Sequence, residues 1–150
     1  MLVVDDHEET LELLQQVLTP RGFDVHTASS VRDAMELMAS RAPEVVVTDI
    51  EMPGFDGFAL FKSLRRCASH GEGVMVPVLA LTGSSDTTLD ARLADAGFCE
   101  VLRKPCEGPT LATAVCRALV RQHAAARQDP RPLGFTRADV GAATARREEG

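Results

Sequence analysis

Two short runs, Val45-Val46-Val47 and Val78-Leu79-Ala80-Leu81, are apolar at every position. A strand with one wet face alternates apolar and polar residues, so an unbroken run needs cover on both faces, the condition of an inner strand in a helix-covered parallel sheet. Antiparallel architectures with a solvated face fit these residues poorly.

Three further β-rich runs, Leu2 to Asp5, Asp24 to Ala28 and Glu100 to Arg103, complete a set of five. Segments of helical period lie between them and after the last. Leu11, Leu14 and Leu18 recur on one face, as do Val31, Ala34, Met35 and Met38 after a Ser30-Val31-Arg32-Asp33 capping signal. Leu60, Phe61 and Leu64 follow Asp56-Gly57, and Leu111, Ala114, Val115, Ala118 and Leu119 form the last stripe. Leu89, Leu93 and Ala96 make a thinner one, so the fourth helix is expected to be the least firmly anchored. Alternation of this kind predicts an α/β fold, a doubly wound five-stranded parallel sheet flanked by five helices.

Residues 1–123 are expected to form one domain, a size that buries a core without disulfides or a structural metal. The stretch from Ala68 to Pro77, glycine-rich and containing His70, reads as a long surface loop. Beyond His123 the periodicity breaks, and residues 124–150 read as a poorly ordered C-terminal tail. Too little chain follows the fifth helix for a helix-turn-helix output domain.

Charge separates these two parts. Residues 1–123 carry 11 Lys+Arg against 18 Asp+Glu, a net −7, whereas residues 124–150 carry 5 against 4. An acidic body argues against direct nucleic-acid binding. Cys67, Cys99, Cys106 and Cys116 show no C-x-x-C spacing and the four histidines are scattered, so neither a zinc site nor a disulfide framework is signalled. With no membrane-length apolar stretch and no signal-type N-terminus, the expectation is a soluble cytoplasmic protein outside the membrane.

The polar residues at the strand ends carry the chemistry. In an open parallel sheet, ligands bind beyond the carboxyl ends of the strands. The first strand ends in Asp5-Asp6, the third in Asp49, the fourth in Thr82, and the fifth runs into Lys104-Pro105. Three crowded carboxylates repel unless a cation neutralises them, and a hard divalent ion with oxygen ligands does so, which implies Mg²⁺. Such an ion can also screen an incoming phosphoryl group from a nucleophilic Asp49, whose product would be an acyl phosphate. Lys104 supplies a positive point charge and Thr82 a hydroxyl donor. The lysine stands out because the chain uses 14 Arg and only 2 Lys. Either isomer of the Lys104-Pro105 bond is open from sequence. The plainer reading of Asp5 and Thr82 is helix capping.

Taken in order, Val3-Val4-Asp5-Asp6, Asp49-Ile50-Glu51-Met52-Pro53-Gly54-Phe55-Asp56-Gly57, Leu81-Thr82-Gly83 and Lys104-Pro105 resemble the receiver domains of two-component response regulators over residues 1 to about 122. The resemblance implies a flavodoxin-like receiver fold and a phosphoacceptor rather than a turnover enzyme. Asp49 would take phosphate from a histidine kinase or histidine phosphotransfer protein. Mg²⁺ would be held by Asp6, Asp49 and the Glu51 backbone carbonyl, with Asp5 acting through a metal-bound water. Thr82 and Lys104 would read the phosphoryl group, Glu51 and Ser84 would tune its lifetime, and a downstream protein would bind the face made by the fourth helix, fifth strand and fifth helix.

Departures from the family pattern bear on the readout. Val101 stands where many receivers place a rotating Tyr or Phe, and the chain contains no Tyr or Trp at all. Gly83 replaces a common Ala. The chain begins almost within its first strand, consistent with a trimmed fragment, and both a single-domain regulator and the C-terminal receiver of a hybrid histidine kinase fit these residues. Two other functions compete. A haloacid-dehalogenase-like, Mg²⁺-dependent phosphatase also uses a nucleophilic Asp, but that family wants Asp-x-Asp after its first strand where this chain has adjacent Asp5-Asp6. A pseudo-receiver would keep the fold and never take phosphate.

Overall fold

The computed structural model describes residues 1–53, 55–70 and 76–128. Five parallel strands form its main sheet: β1 (Leu2–Val4), β2 (His26–Ala28), β3 (Val46–Asp49), β4 (Val78–Thr82) and β5 (Glu100–Arg103). They lie in the order β2-β1-β3-β4-β5. The two unbroken apolar runs are thus the neighbouring inner strands β3 and β4, in register from Val46↔Val78 to Asp49↔Leu81.

Five helices cover both faces: α1 (Glu8–Leu18), α2 (Val31–Arg41), α3 (Gly57–His70), α4 (Thr87–Ala96) and α5 (Gly108–Gln128). Because successive side chains of a strand point to opposite faces, the sheet splits the core in two. Leu2, Val4, Val46, Val78 and Ala80 join Met35, Met38, Leu60, Leu64 and Leu93 from α2, α3 and α4. Val3, Val47, Leu79 and Leu81 join Leu11, Leu14, Leu18, Leu111 and Val115 from α1 and α5. This is the doubly wound arrangement that the apolar runs require.

Local signals set the helix ends. Ser30 Oγ accepts the Asp33 N–H at 3.1 Å and starts α2, and Asp86 Oδ1 accepts the Thr88 N–H at 2.8 Å and starts α4. Helix α4 stops at Gly97, whose φ of 112° is left-handed and strains any residue with a Cβ. Of the α4 residues only Leu93 is buried, against three each in α1 and α2, so α4 is the most thinly anchored, as its sparse stripe predicted.

Two expectations are corrected. Helix α3 runs on to His70, so Ala68 to His70 are helical and not loop; residues 71–75 of that connector lie outside the described residues. Helix α5 continues past His123 to Gln128, because Ala124, Ala125 and Ala126 have high helix propensity even where the apolar stripe has ended. The remaining tail residues, 129–150, lie outside the described residues. Outside the main sheet, Glu51–Met52 and Phe55–Asp56 pair antiparallel as a small hairpin that the sequence did not signal.

Candidate functional site

Between β1 and β3 the chain order reverses, and the carboxyl ends of these strands deliver Asp5, Asp6 and Asp49 to one place. One ligand atom from each of Asp5, Asp6, His7 and Asp49 lies within 4.8 Å of all the others. Asp5 is 1% exposed, Asp49 3% and Thr82 not exposed at all, so these polar groups are held inside the fold where water does not pay their desolvation.

Lys104, carried by the turn after β5, closes the site from the other side. Its Nζ lies 2.9 Å from Asp5 Oδ2 and 3.3 Å from Asp49 Oδ2. The Lys104-Pro105 peptide bond is cis, and the Lys104 N–H donates to the Thr82 carbonyl at 2.8 Å, which anchors this turn on the end of β4. Thr82 sits one residue beyond Leu81, the register partner of Asp49. Its Oγ1 accepts the Ser84 N–H at 3.1 Å, leaving the hydroxyl hydrogen to donate elsewhere.

The two buried carboxylates are tuned in opposite directions. Burial pushes the Asp49 carboxyl above its ordinary value and the Asp5 charge adds to this, outweighing Lys104 and the Glu51 N–H. Burial works the same way on Asp5, but there hydrogen bonds from Lys104 and from the His7 N–H outweigh it and hold the carboxyl below its ordinary value. Burial opposes the charge on Lys104 as well, yet its bond to Asp5 and the charge of Asp49 keep the ammonium above its ordinary value. Asp49 is thus the less satisfied carboxylate, receiving a single backbone N–H, from Glu51, at 3.3 Å.

A hard divalent cation fits this donor set. Three carboxylates converge with one lysine to balance them, and Asp6 Oδ1 is enclosed yet accepts no hydrogen bond among the described residues. His7 Nδ1 is 2.9 Å from that oxygen, close in distance but without hydrogen-bond geometry. An enclosed, unsatisfied anionic oxygen is costly unless a cation completes it.

Every residue expected at the strand ends is therefore brought together, and the capping alternative fails for two of them. Asp5 lies two residues before the N-cap of α1, which is His7, and α4 is capped by Asp86, not Thr82. The residue that sequence reasoning passed over is His7. Its position directly after Asp5-Asp6 was the available signal. Val101 is half-buried against the core on the α2, α3 and α4 side, and Glu51 is exposed at the mouth of the site.

Comparison with known proteins agrees with this geometry. The family model described as the response regulator receiver domain matches residues 1–116. The DNA-binding transcriptional regulator NtrC of Klebsiella pneumoniae is 30% identical over 92% of this chain, and the transcriptional regulatory protein KdpE of Mycobacterium tuberculosis is 32% identical over 89% of it. The chain spans only 28% of the first and 56% of the second. Among solved structures, the signal receiver domain of an HD domain-containing protein from Pseudomonas fluorescens superposes with a TM-score of 0.69 at 31% identity, covering 82% of this chain and 95% of that one.

Proposed function

This chain belongs to the response regulator receiver family, and on that premise we propose that Asp49 is its phosphoacceptor, with Asp5, Asp6, Asp49 and the Glu51 backbone carbonyl holding Mg²⁺ and with Thr82 and Lys104 contacting the phosphoryl group. Receiver domains of response regulators take phosphate from histidine kinases, and they generally bind Mg²⁺ at their acidic pocket. The observation that carries the assignment is the contrast between the two buried aspartates: Asp5 is committed to Lys104 and His7, whereas Asp49 holds the weaker contacts.

An oxygen of the Asp49 carboxylate attacks the phosphorus of a phosphohistidine on a kinase or phosphotransfer protein. The P–O bond forms as the P–N bond breaks, and the electron pair of that bond returns to the leaving imidazole nitrogen. Bound Mg²⁺ supplies the charge neutralisation that lets three carboxylates and an anionic phosphoryl group share one pocket. The incoming phosphoryl group joins Asp5 and Asp49 as a third anion beside Lys104, and the Thr82 hydroxyl hydrogen is free to donate to a phosphoryl oxygen. The chain is a phosphoacceptor that assists its own labelling and its own hydrolysis, not a turnover enzyme.

The face of α4, β5 and α5 is the surface offered to a downstream protein. Arg103 of β5 pairs with Asp90 of α4 at 2.5 Å, and Glu100 of β5 pairs with Arg117 of α5, so a change at the Thr82 end of β4 is passed to three linked elements. With Val101 in place of an aromatic switch, the transmitted change runs through Thr82 and the thinly held α4. The acidic body favours a protein partner over direct contact with nucleic acid. Among the described residues no helix is long and apolar enough to cross a membrane.

Incubation with acetyl phosphate or a phosphorylated histidine kinase, in the presence of Mg²⁺, tests this. Stoichiometric, single-turnover labelling of the wild type that disappears in Asp49→Asn is the expected result. Sustained hydrolysis of an added phosphoester would instead favour the phosphatase, and an unlabelled wild type would favour the pseudo-receiver.

A further inference from the structure

We infer that His7 is a fourth side-chain ligand of the acidic pocket, which makes the site receptive to a borderline transition-metal ion such as Zn²⁺ as well as to Mg²⁺. The inference rests on reading Asp5, Asp6 and Asp49 as a metal site, and it adds a nitrogen donor to that all-oxygen set.

The distances are those of a coordination polyhedron. His7 Nδ1 lies 2.9 Å from Asp6 Oδ1 and 3.2 Å from Asp5 Oδ1. Adjacent ligands around an octahedral ion at about 2.1 Å are about 3.0 Å apart, and those of a tetrahedral ion at about 2.0–2.1 Å are about 3.3 Å apart. The ring nitrogen thus already stands one ligand edge from two carboxylate oxygens. One of the two, Asp6 Oδ1, is the enclosed oxygen that accepts no hydrogen bond among the described residues.

The hydrogen bond this ring makes among the described residues is to Asp5 Oδ1, at 3.2 Å, between the same two atoms that a shared ion would bridge. His7 occupies the N-cap position of α1 with extended backbone, φ −94° and ψ 110°, and its side chain makes no capping hydrogen bond. The side chain is 67% exposed, so it is not there to fill the core. The turn from β1 into α1 folds it back over the carboxylates, and the His7 N–H pins that turn by donating to Asp5 Oδ1 at 3.0 Å.

Imidazole changes which ion the pocket favours. Mg²⁺ prefers oxygen and keeps much of its water, whereas Zn²⁺ and its transition-metal neighbours gain from a nitrogen ligand. Three carboxylates with one imidazole form a mixed set that both classes accept, with His7 weighting it toward the borderline ions.

Isothermal titration of the full chain with ZnCl₂ and, separately, MgCl₂ tests the assignment in the wild type, His7→Asn and Asp49→Asn. The expected result is that His7→Asn lowers the ratio of Zn²⁺ to Mg²⁺ affinity by more than about tenfold. The visible d–d spectrum of added Co²⁺ should also differ between wild type and His7→Asn. An unchanged ratio with an unchanged Co²⁺ spectrum overturns the role of His7. Mg²⁺ binding that survives intact in Asp49→Asn overturns the reading of the carboxylates beneath it. Because His7 is exposed, its replacement leaves the core intact, and far-UV circular dichroism checks this directly.

Discussion

Lys104 Nζ sits closer to Asp5 Oδ2, at 2.9 Å, than to Asp49 Oδ2, at 3.3 Å. Among the described residues Lys104 is the cation that reaches both carboxylates, and it is committed first to Asp5, which leaves Asp49, the proposed acceptor, the higher-energy anion of the pair. Lys104→Met strips both carboxylates of their counter-charge. It should destabilise the metal-free protein at pH 7 by ~1–3 kcal/mol, the range for leaving a buried charged group unsatisfied. Urea unfolding in the presence of a chelator measures this, and added Mg²⁺ should recover part of the loss.

Asp49→Asn should act in the opposite direction. The folded-state pKa of Asp49 is raised, so the folded chain binds this proton more tightly than the unfolded chain. Stability is therefore lost as pH rises from about 4 through the folded value. Above that window the wild type carries a charge penalty that the amide lacks. The variant should be more stable at pH 7 by on the order of 1 kcal/mol, with the advantage vanishing below about pH 4. Thermal melts across pH in chelator-containing buffer read both features.

Asp5 governs the acid side. Its folded-state pKa is lowered, so the folded chain releases this proton more readily, and the stabilisation is present above about pH 4 and disappears as pH falls through the folded value. Replacing Asp5 with Asn should flatten the acid limb of the stability curve below about pH 4. Urea midpoints measured over that range would reveal an unchanged slope if Asp5 were not the responsible group.

Two glycines near the site should behave differently. A Cβ on Gly57 would stand 2.6 Å from Ile50 Cδ1 and 2.7 Å from the Asp49 carbonyl oxygen, whereas one on Gly83 would meet only Glu51 Oε2 at 3.7 Å. Gly57→Ala must displace backbone beside the proposed acceptor, and it should cost ~1–3 kcal/mol of stability and slow acetyl-phosphate labelling. Gly83→Ala should change stability by less than about 0.5 kcal/mol. Paired denaturation curves decide the comparison.

Much of this was readable from the chain alone because it follows from periodicity. Val45 to Val47 and Val78 to Leu81 demand two-sided cover, and two-sided cover demands helices between parallel strands. Once the strands run parallel, their carboxyl ends share one edge, so Asp5, Asp6, Asp49, Thr82 and Lys104 had to gather there whatever the details of packing. The thin anchoring of α4 was legible for the same reason, from a stripe of only Leu89, Leu93 and Ala96. Where periodicity faded the reading failed. The hairpin at Glu51–Met52 and Phe55–Asp56 is too short to show alternation, and the ends of α3 and α5 outrun their apolar stripes.

What sequence determined was thus which residues meet, since strand direction and the two-residue repeat settle that without reference to distance. What only the tertiary structure decided was how they divide the charge among them. Lys104 and Asp5 are 99 positions apart, and the few tenths of an ångström by which the ammonium favours Asp5 over Asp49 depend on the packing of every element between. The same holds for His7, whose ring turns over Asp6 through the geometry of the β1–α1 turn. Coulomb and hydrogen-bond energies change steeply over such distances, so the roles of the two buried aspartates diverge in space although their letters in the sequence are identical.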